Sequence, residues 1–130
     1  MVHRTLCCMK NKNTLRRLLV LDGVTGLLSV LSFAALSTTW ADACGVTVAD
    51  IQRVAWVLAV YVVWIGWLLW SYAPQRLRVL IAANAAYVVA CAAIAAWGVA
   101  TGGLTTIGVL LALSHAVFVA GLTVAQRRAF

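Results

Sequence analysis

The chain has 130 residues, of which 65% are hydrophobic and only 10% are charged. This composition and a mean hydropathy of +1.01 exclude an ordinary soluble domain, in which about 25% of residues are charged. The formal net charge of +7 does not indicate nucleic-acid binding, because nine of the ten basic residues flank apolar segments and leave no soluble basic face for phosphates. We therefore expect one bundle whose solvent is the lipid bilayer.

Residues 1–14 form a basic tail with no acidic residue and no apolar segment of its own. This composition argues against a separate cleavable signal peptide. A second translation start, besides Met1, fits the run Met9-Lys10-Asn11-Lys12. An organelle transit peptide is a further interpretation, which the scarcity of serine and arginine disfavours.

Four apolar segments follow within a predicted membrane domain of residues 15–128. They lie near residues 18–36, 54–72, 79–100 and 104–125. Each is close to the ~20 residues that a helix needs to cross ~30 Å of hydrocarbon. Strands are disfavoured because lipid requires backbone polar groups to be bonded within their own segment. The predicted fold is all-α, a bundle of four transmembrane helices.

Basic residues predict the orientation of these helices. Nine lie before the first span, between the second and third spans, or after the fourth span, whereas only Arg53 lies on the opposite side. Because Lys and Arg accumulate in cytoplasmic loops, we expect both termini in the cytoplasm. The expected location is the bacterial inner membrane.

Turn and cap signals separate the spans. Pro74 is expected to stop the second helix before the third begins, and Gly102-Gly103 to form a tight outer turn. Thr47 followed by Asp50 matches a capping box, which predicts a helix start near Val48.

The first and third spans resemble each other. The run LRRLLVLD (Leu15–Asp22) matches LRVLIAAN (Leu77–Asn84) at an offset of 62 residues. The match predicts a duplicated helical hairpin, a parallel repeat about an axis along the membrane normal. The second and fourth spans align poorly, so convergence on basic-flanked apolar helices is the alternative.

Duplication would place Asp22 and Asn84 at the same depth, where a carboxylate and an amide could hydrogen-bond. Three arginines would lie just above this pair and snorkel over it, namely Arg16, Arg17 and Arg78. An ionisable residue in a membrane helix marks a functional site by default. Asp22 predicts an ion or proton site, a headgroup contact or, slightly favoured, a structural link between the first and third helices.

A small-residue stripe and a midplane layer complete the polar candidates. Thr25, Gly26 and Ser29 follow Asp22 at helical spacing and would let helices approach closely. The midplane layer consists of Tyr61, Tyr87 and His115. It could relay protons or contact a quinone-like ring, although a neutral histidine bonded to a tyrosine or to Ser114 is favoured.

Motifs for chemistry are missing from the sequence. Haem would need a second axial ligand, and the only other histidine is His3 in the tail. The four cysteines form no C-x-x-C pair, and Cys44 would be a lone outer thiol suited to crosslinking two protomers. We therefore predict no catalytic residue, no metal site and no cofactor.

The runs LRRLLVLDG (residues 15–23) and LRVLIAANAAY (residues 77–87), with Gly103–Gly108 and Arg127-Arg128, carry a likeness over nearly the whole chain. On these motifs the chain resembles a group of small, uncharacterised four-helix integral membrane proteins of bacteria. The resemblance implies the same fold and topology and no known activity. Members of that group often carry an acidic residue near the end of helix four, whereas Thr123–Gln126 contains none.

Almost no mass lies outside the bilayer, so the sequence predicts a non-enzymatic protein with a structural, accessory or partner-binding role. Its partners would be lipids, a second copy of the chain or another membrane protein, and not nucleic acid. One alternative is a small proton-coupled transporter using Asp22, which would resemble small multidrug resistance transporters. The missing helix-three motifs of that group and the nine-to-one charge bias speak against it. The other is a redox accessory protein that contacts a quinone through the midplane layer.

Overall fold

The computed structural model describes the backbone of residues 2–130 and the side chains of residues 12–130. The expectations for the start residue and for His3 lie outside the described side chains. Over the described part, the chain folds into α-helices without strands. The helices are α1 (Val2–Ala35), α2 (Ser37–Cys44), α3 (Val48–Trp70), α4 (Pro74–Thr101) and α5 (Thr106–Ala129).

Four helices are long and apolar enough to cross a membrane: α3, α4, α5 and the Lys12–Ala35 part of α1. The prediction of an all-α bundle with four candidate membrane helices is confirmed, and the chain is a membrane protein. Helix α3 begins at Val48, as the capping box predicted and six residues before the apolar segment near residues 54–72, whereas α5 continues to Ala129 rather than residue 125. The short helix α2 was not expected.

Local signals explain the helix ends. The Thr47 side chain accepts a hydrogen bond from the backbone N–H of Asp50, and the Asp50 carboxylate accepts one from the backbone N–H of Thr47, so the capping box is confirmed. Pro74 is the first residue of α4, where its missing N–H removes no helical bond. Helix α4 ends at Thr101, and the next residue, Gly102, has a φ of +67°, which favours glycine.

The helices form two antiparallel pairs. Helix α1 packs along α3 and α4 packs along α5, while α1 also meets α5. Helices α3 and α4 scarcely touch. The two pairs are joined mainly through α1 and α5. The bundle is therefore closed on the side of α1 and α5 and open between α3 and α4.

Two apolar clusters lie at opposite ends of the bundle. The inner cluster, at the end that carries Lys12 and Phe130, consists of Leu15, Leu19, Ile65, Leu68, Leu77, Leu80 and Ala129. The outer cluster consists of Phe33, Ala41, Ile51, Ala55 and Leu58. Buried polar side chains lie between these two clusters, and they form the candidate site.

Candidate functional site

Four polar side chains, one from each membrane helix, meet between the inner and outer clusters. Three are buried, with exposed fractions of 4% for Asp22, 2% for Asn84 and 0% for Gln126. The fourth, Tyr61, is half-buried. We call these four residues the polar layer.

Hydrogen bonds join the polar layer into one network. The Tyr61 hydroxyl donates to Oδ2 of Asp22 at 2.7 Å, and Nε2 of Gln126 donates to the same oxygen at 2.7 Å. Nδ2 of Asn84 donates to Oε1 of Gln126 at 3.3 Å. Because the four residues come from α1, α3, α4 and α5, the network links all four membrane helices. Asp22 accepts two of the three hydrogen bonds, and the donors are neutral side chains.

The structure corrects the predicted pairing of Asp22 with Asn84. Both residues belong to the polar layer, but Asn84 is connected to Asp22 through Gln126. The reason is the order of the helices, since α1 has α3 and α5 as its membrane-helix neighbours, and not α4. Gln126 was not among the predicted site residues. The sequence signal for Gln126 is a single amide side chain in an apolar helix. Such an amide is energetically unfavourable in lipid unless it is hydrogen-bonded.

The three arginines that were expected above Asp22 form no ion pair with it in the described part of the chain. Among the described residues, the only ion pair joins Arg53 to Asp50, at 2.9 Å. Arg16 and Arg17 are exposed, and the guanidinium of Arg78 lies 5.8 Å from the centroid of the Phe130 ring. The partners of the Asp22 carboxylate are therefore neutral.

A cavity of about 390 Å³ adjoins the polar layer, with walls from both α3 and α4, which scarcely touch. Its polar lining includes Asp22, Tyr61 and Asn84. The small-residue stripe of α1 also lines it, and the apolar part of its wall comes from Val57, Leu58, Ala83, Ala86, Ala90, Phe118 and Val119. Ligand sites typically have about this volume and a mostly apolar wall with a few polar groups.

A second polar group faces the same cavity. The Tyr87 hydroxyl and Nδ1 of His115 lie 3.1 Å apart, and both side chains are half-buried. Ser114 is not the partner of the histidine, because its hydroxyl donates to the Leu111 carbonyl. The predicted midplane layer is therefore divided: Tyr87 pairs with His115, while Tyr61 belongs to the polar layer.

The small-residue stripe on α1 packs against α3. The Thr25 hydroxyl lies within hydrogen-bond distance of the Leu21 and Asp22 carbonyls, and the Ser29 hydroxyl donates to the Thr25 carbonyl. A Cβ at Gly26 would lie 2.9 Å from Cγ2 of Val62, so this glycine permits close approach. The stripe thus brings α1 and α3 together with its hydroxyls bonded inside α1.

The described side chains contain no group of three or more His, Cys, Asp and Glu residues that would hold a metal ion. Comparison with protein-family models, curated proteins and solved structures finds no match to this chain. The resemblance to small bacterial four-helix proteins therefore stays a prediction.

Proposed function

We propose that this chain is a non-enzymatic binding protein of the bacterial inner membrane, with both termini in the cytoplasm. Its ligand is a membrane-soluble organic cation, held in the cavity beside the polar layer. Binding of such a ligand is a specific case of the accessory or partner-binding role that the sequence predicts. The observation that carries the proposal is the Asp22 carboxylate, which lines the cavity with neutral partners.

The electrostatics of Asp22 favour a cationic ligand. A carboxylate held away from water is stable when it is paired with a positive charge, or else it takes up a proton. Tyr61 and Gln126 both donate to Oδ2, and no hydrogen bond to Oδ1 is found among the described residues. A cation in the cavity would supply the positive partner that the Asp22 carboxylate lacks among the described residues.

The walls of the cavity favour an organic cation over a metal ion. Tyr61, Tyr87 and Phe118 place aromatic rings along it, and aromatic faces attract organic cations, most strongly where water is excluded. The alanines of α4 leave room for a bulky ligand, and they offer no side-chain oxygen that could coordinate a metal ion. A hydrophobic cation would enter from the bilayer between α3 and α4, where the two helix pairs part.

The test is equilibrium binding of tetraphenylphosphonium to the purified full chain in nanodiscs. We expect saturable binding by the wild type and at least a tenfold loss of affinity in Asp22→Asn, which keeps the shape of the side chain and removes its charge. Asp50→Asn is the matched control, because Asp50 lies at the start of α3 and forms a capping box and an ion pair there.

Tetraphenylborate, an anion of similar size and hydrophobicity, separates charge recognition from hydrophobic partitioning. We expect it to bind no better to the wild type than to Asp22→Asn. Equal affinity of the wild type and Asp22→Asn for tetraphenylphosphonium, or no saturable binding by the wild type, would contradict the proposal.

Proton-coupled transport is the second candidate function. The observation in its favour is the same carboxylate, which can hold either a proton or a cation beside a cavity within the membrane. Uptake of tetraphenylphosphonium into proteoliposomes, driven by a pH gradient and compared between the wild type and Asp22→Asn, tests it. Equal transport by both, or none by either, would exclude proton-coupled transport through Asp22 and leave cation binding as the proposed function.

A further inference from the structure

A second recess lies at the inner end of the molecule, between α1 and α3, with a volume of about 350 Å³. We call it the inner groove. It is lined by Lys12, Asn13, Leu15, Arg16, Leu19, Leu68, Leu69 and Tyr72. Cationic and apolar side chains thus share one recess, which is separate from the cavity beside Asp22.

The charges of the inner groove are positive and lack an acidic counterpart. Lys12 and Arg16 are exposed, and they are four residues apart, so they lie on one face of α1. The sequence has no Asp or Glu before Asp22. Asp22 is buried in the polar layer, and Asp42 and Asp50 lie near the opposite ends of α1 and α3. A phosphate would complement this pair of cations.

The apolar part of the inner groove identifies the source of that phosphate. Leu15, Leu19 and Leu68 form its buried floor and Leu69 its half-buried side. Lys12 and Leu19 are seven residues apart on α1, about 10 Å along the helix. A ligand with its phosphate at Lys12 and Arg16 would therefore extend an apolar chain along the leucines. Exposed Tyr72 follows α3 at this level, as interfacial tyrosines do.

We infer that the inner groove binds an anionic phospholipid from the leaflet that faces the chain termini. The Lys12 and Arg16 side chains hold its phosphate and the leucines contact its acyl chain. Free phosphate would use the charges but not the leucines, and a zwitterionic lipid would use the leucines but offer the groove no net charge. This inference is independent of cation binding at Asp22.

The test is native mass spectrometry of the full chain released from micelles that contain equal amounts of phosphatidylglycerol and phosphatidylcholine with identical acyl chains. We expect the wild type to retain at least tenfold more phosphatidylglycerol. The double variant Lys12→Gln/Arg16→Gln should lose this preference. The matched control Arg127→Gln/Arg128→Gln removes the same charge from the same end of the molecule and should keep it.

Three results would overturn the inference. The wild type could show no preference, or both double variants could lose it equally, which would indicate a general basic rim. Complete displacement of phosphatidylglycerol by equimolar inorganic phosphate would indicate an anion site instead of a lipid site. Folding of each variant is checked by circular dichroism and by SDS titration in mixed micelles, so loss of the fold is distinguished from loss of the lipid.

Discussion

In the inner half of the bundle the membrane helices are joined by side-chain hydrogen bonds, whereas at the outer end they are joined by backbone contact around α2. The polar layer links four helices through Asp22, whose partners are neutral donors. At the outer end, the backbone N–H of Thr105 donates to the Cys44 carbonyl at 3.1 Å, and the Thr105 hydroxyl donates to the Ala43 carbonyl.

The polar layer is suited to binding a ligand, whereas the contact between α2 and α5 is suited to holding the helices together. A ligand can compete for two of the three hydrogen bonds of the polar layer, because they end on the Asp22 carboxylate beside a cavity. The contact between α2 and α5 depends on shape, since a Cβ at Gly108 would lie 2.8 Å from the Cys44 carbonyl oxygen. We expect substitutions in the inner half to change both stability and binding, and those at the outer end to change stability alone.

The largest loss of stability is expected for Asp22→Leu. It leaves the Tyr61 hydroxyl and the Gln126 amide without their acceptor, and an unsatisfied buried polar group costs about 1–3 kcal/mol. The free energy of unfolding should fall by about 3 kcal/mol, measured by SDS titration in mixed micelles with circular dichroism. Asp22→Asn retains an acceptor oxygen and should lose less. Unchanged stability of Asp22→Leu would mean that the polar layer does not hold the helices together.

A smaller loss is expected for Gly108→Ala. The added methyl group meets backbone atoms of Cys44, which cannot rotate away, and overpacking of this kind costs about 1–3 kcal/mol. Gly121→Ala is the matched control on the same helix, because a Cβ there meets nothing within 4 Å. Similar unfolding curves for the two variants would argue against a tight contact between α2 and α5. Tetraphenylphosphonium affinity should stay within twofold of the wild type in both.

Labelling of the Cys44 thiol tests the contact between α2 and α5 more directly than stability does. Cys44 is 4% exposed, and burial raises its pKa above the usual value. A higher pKa leaves less thiolate at neutral pH, so labelling by a maleimide should be slow and should quicken as the pH rises. Mass spectrometry of the tryptic peptide of residues 18–53, which contains no other cysteine, measures the rate.

We expect this labelling to be several times faster in Gly108→Ala than in Gly121→Ala. Fast labelling of the wild type at neutral pH would show that α5 does not cover Cys44. The same burial disfavours the crosslink between protomers that the sequence predicted for this thiol.

The smallest effect is expected for Tyr87→Phe. It removes one hydrogen bond, to His115, and such bonds within membranes contribute about 0.6 kcal/mol on average. Cation affinity should change by less than twofold, because Tyr87 has no hydrogen bond to Asp22 among the described residues. The quinone interpretation makes the opposite prediction: quinone should co-purify with the wild type and be lost in Tyr87→Phe. Chromatography of solvent extracts decides between the two.

The polar layer was only partly predictable from sequence. Asp22 stands out because charge in an apolar segment is rare, and the match between the first and third spans drew attention to Asn84. Tyr61 was identified but assigned to the group of Tyr87 and His115. Gln126 was overlooked, because a single amide beside two arginines looks like the end of a helix until the helix is known to reach Ala129.

The sequence by itself determined the class of protein, the number of membrane helices and the start of α3, because hydropathy and capping depend on residues close together in the chain. The tertiary structure alone decided which helices are neighbours, and therefore that Gln126 rather than Asn84 contacts Asp22. It also decided that α3 and α4 part beside this carboxylate and leave a cavity. These features depend on packing between residues 39 to 104 positions apart, for which no local pattern in the chain carries a signal.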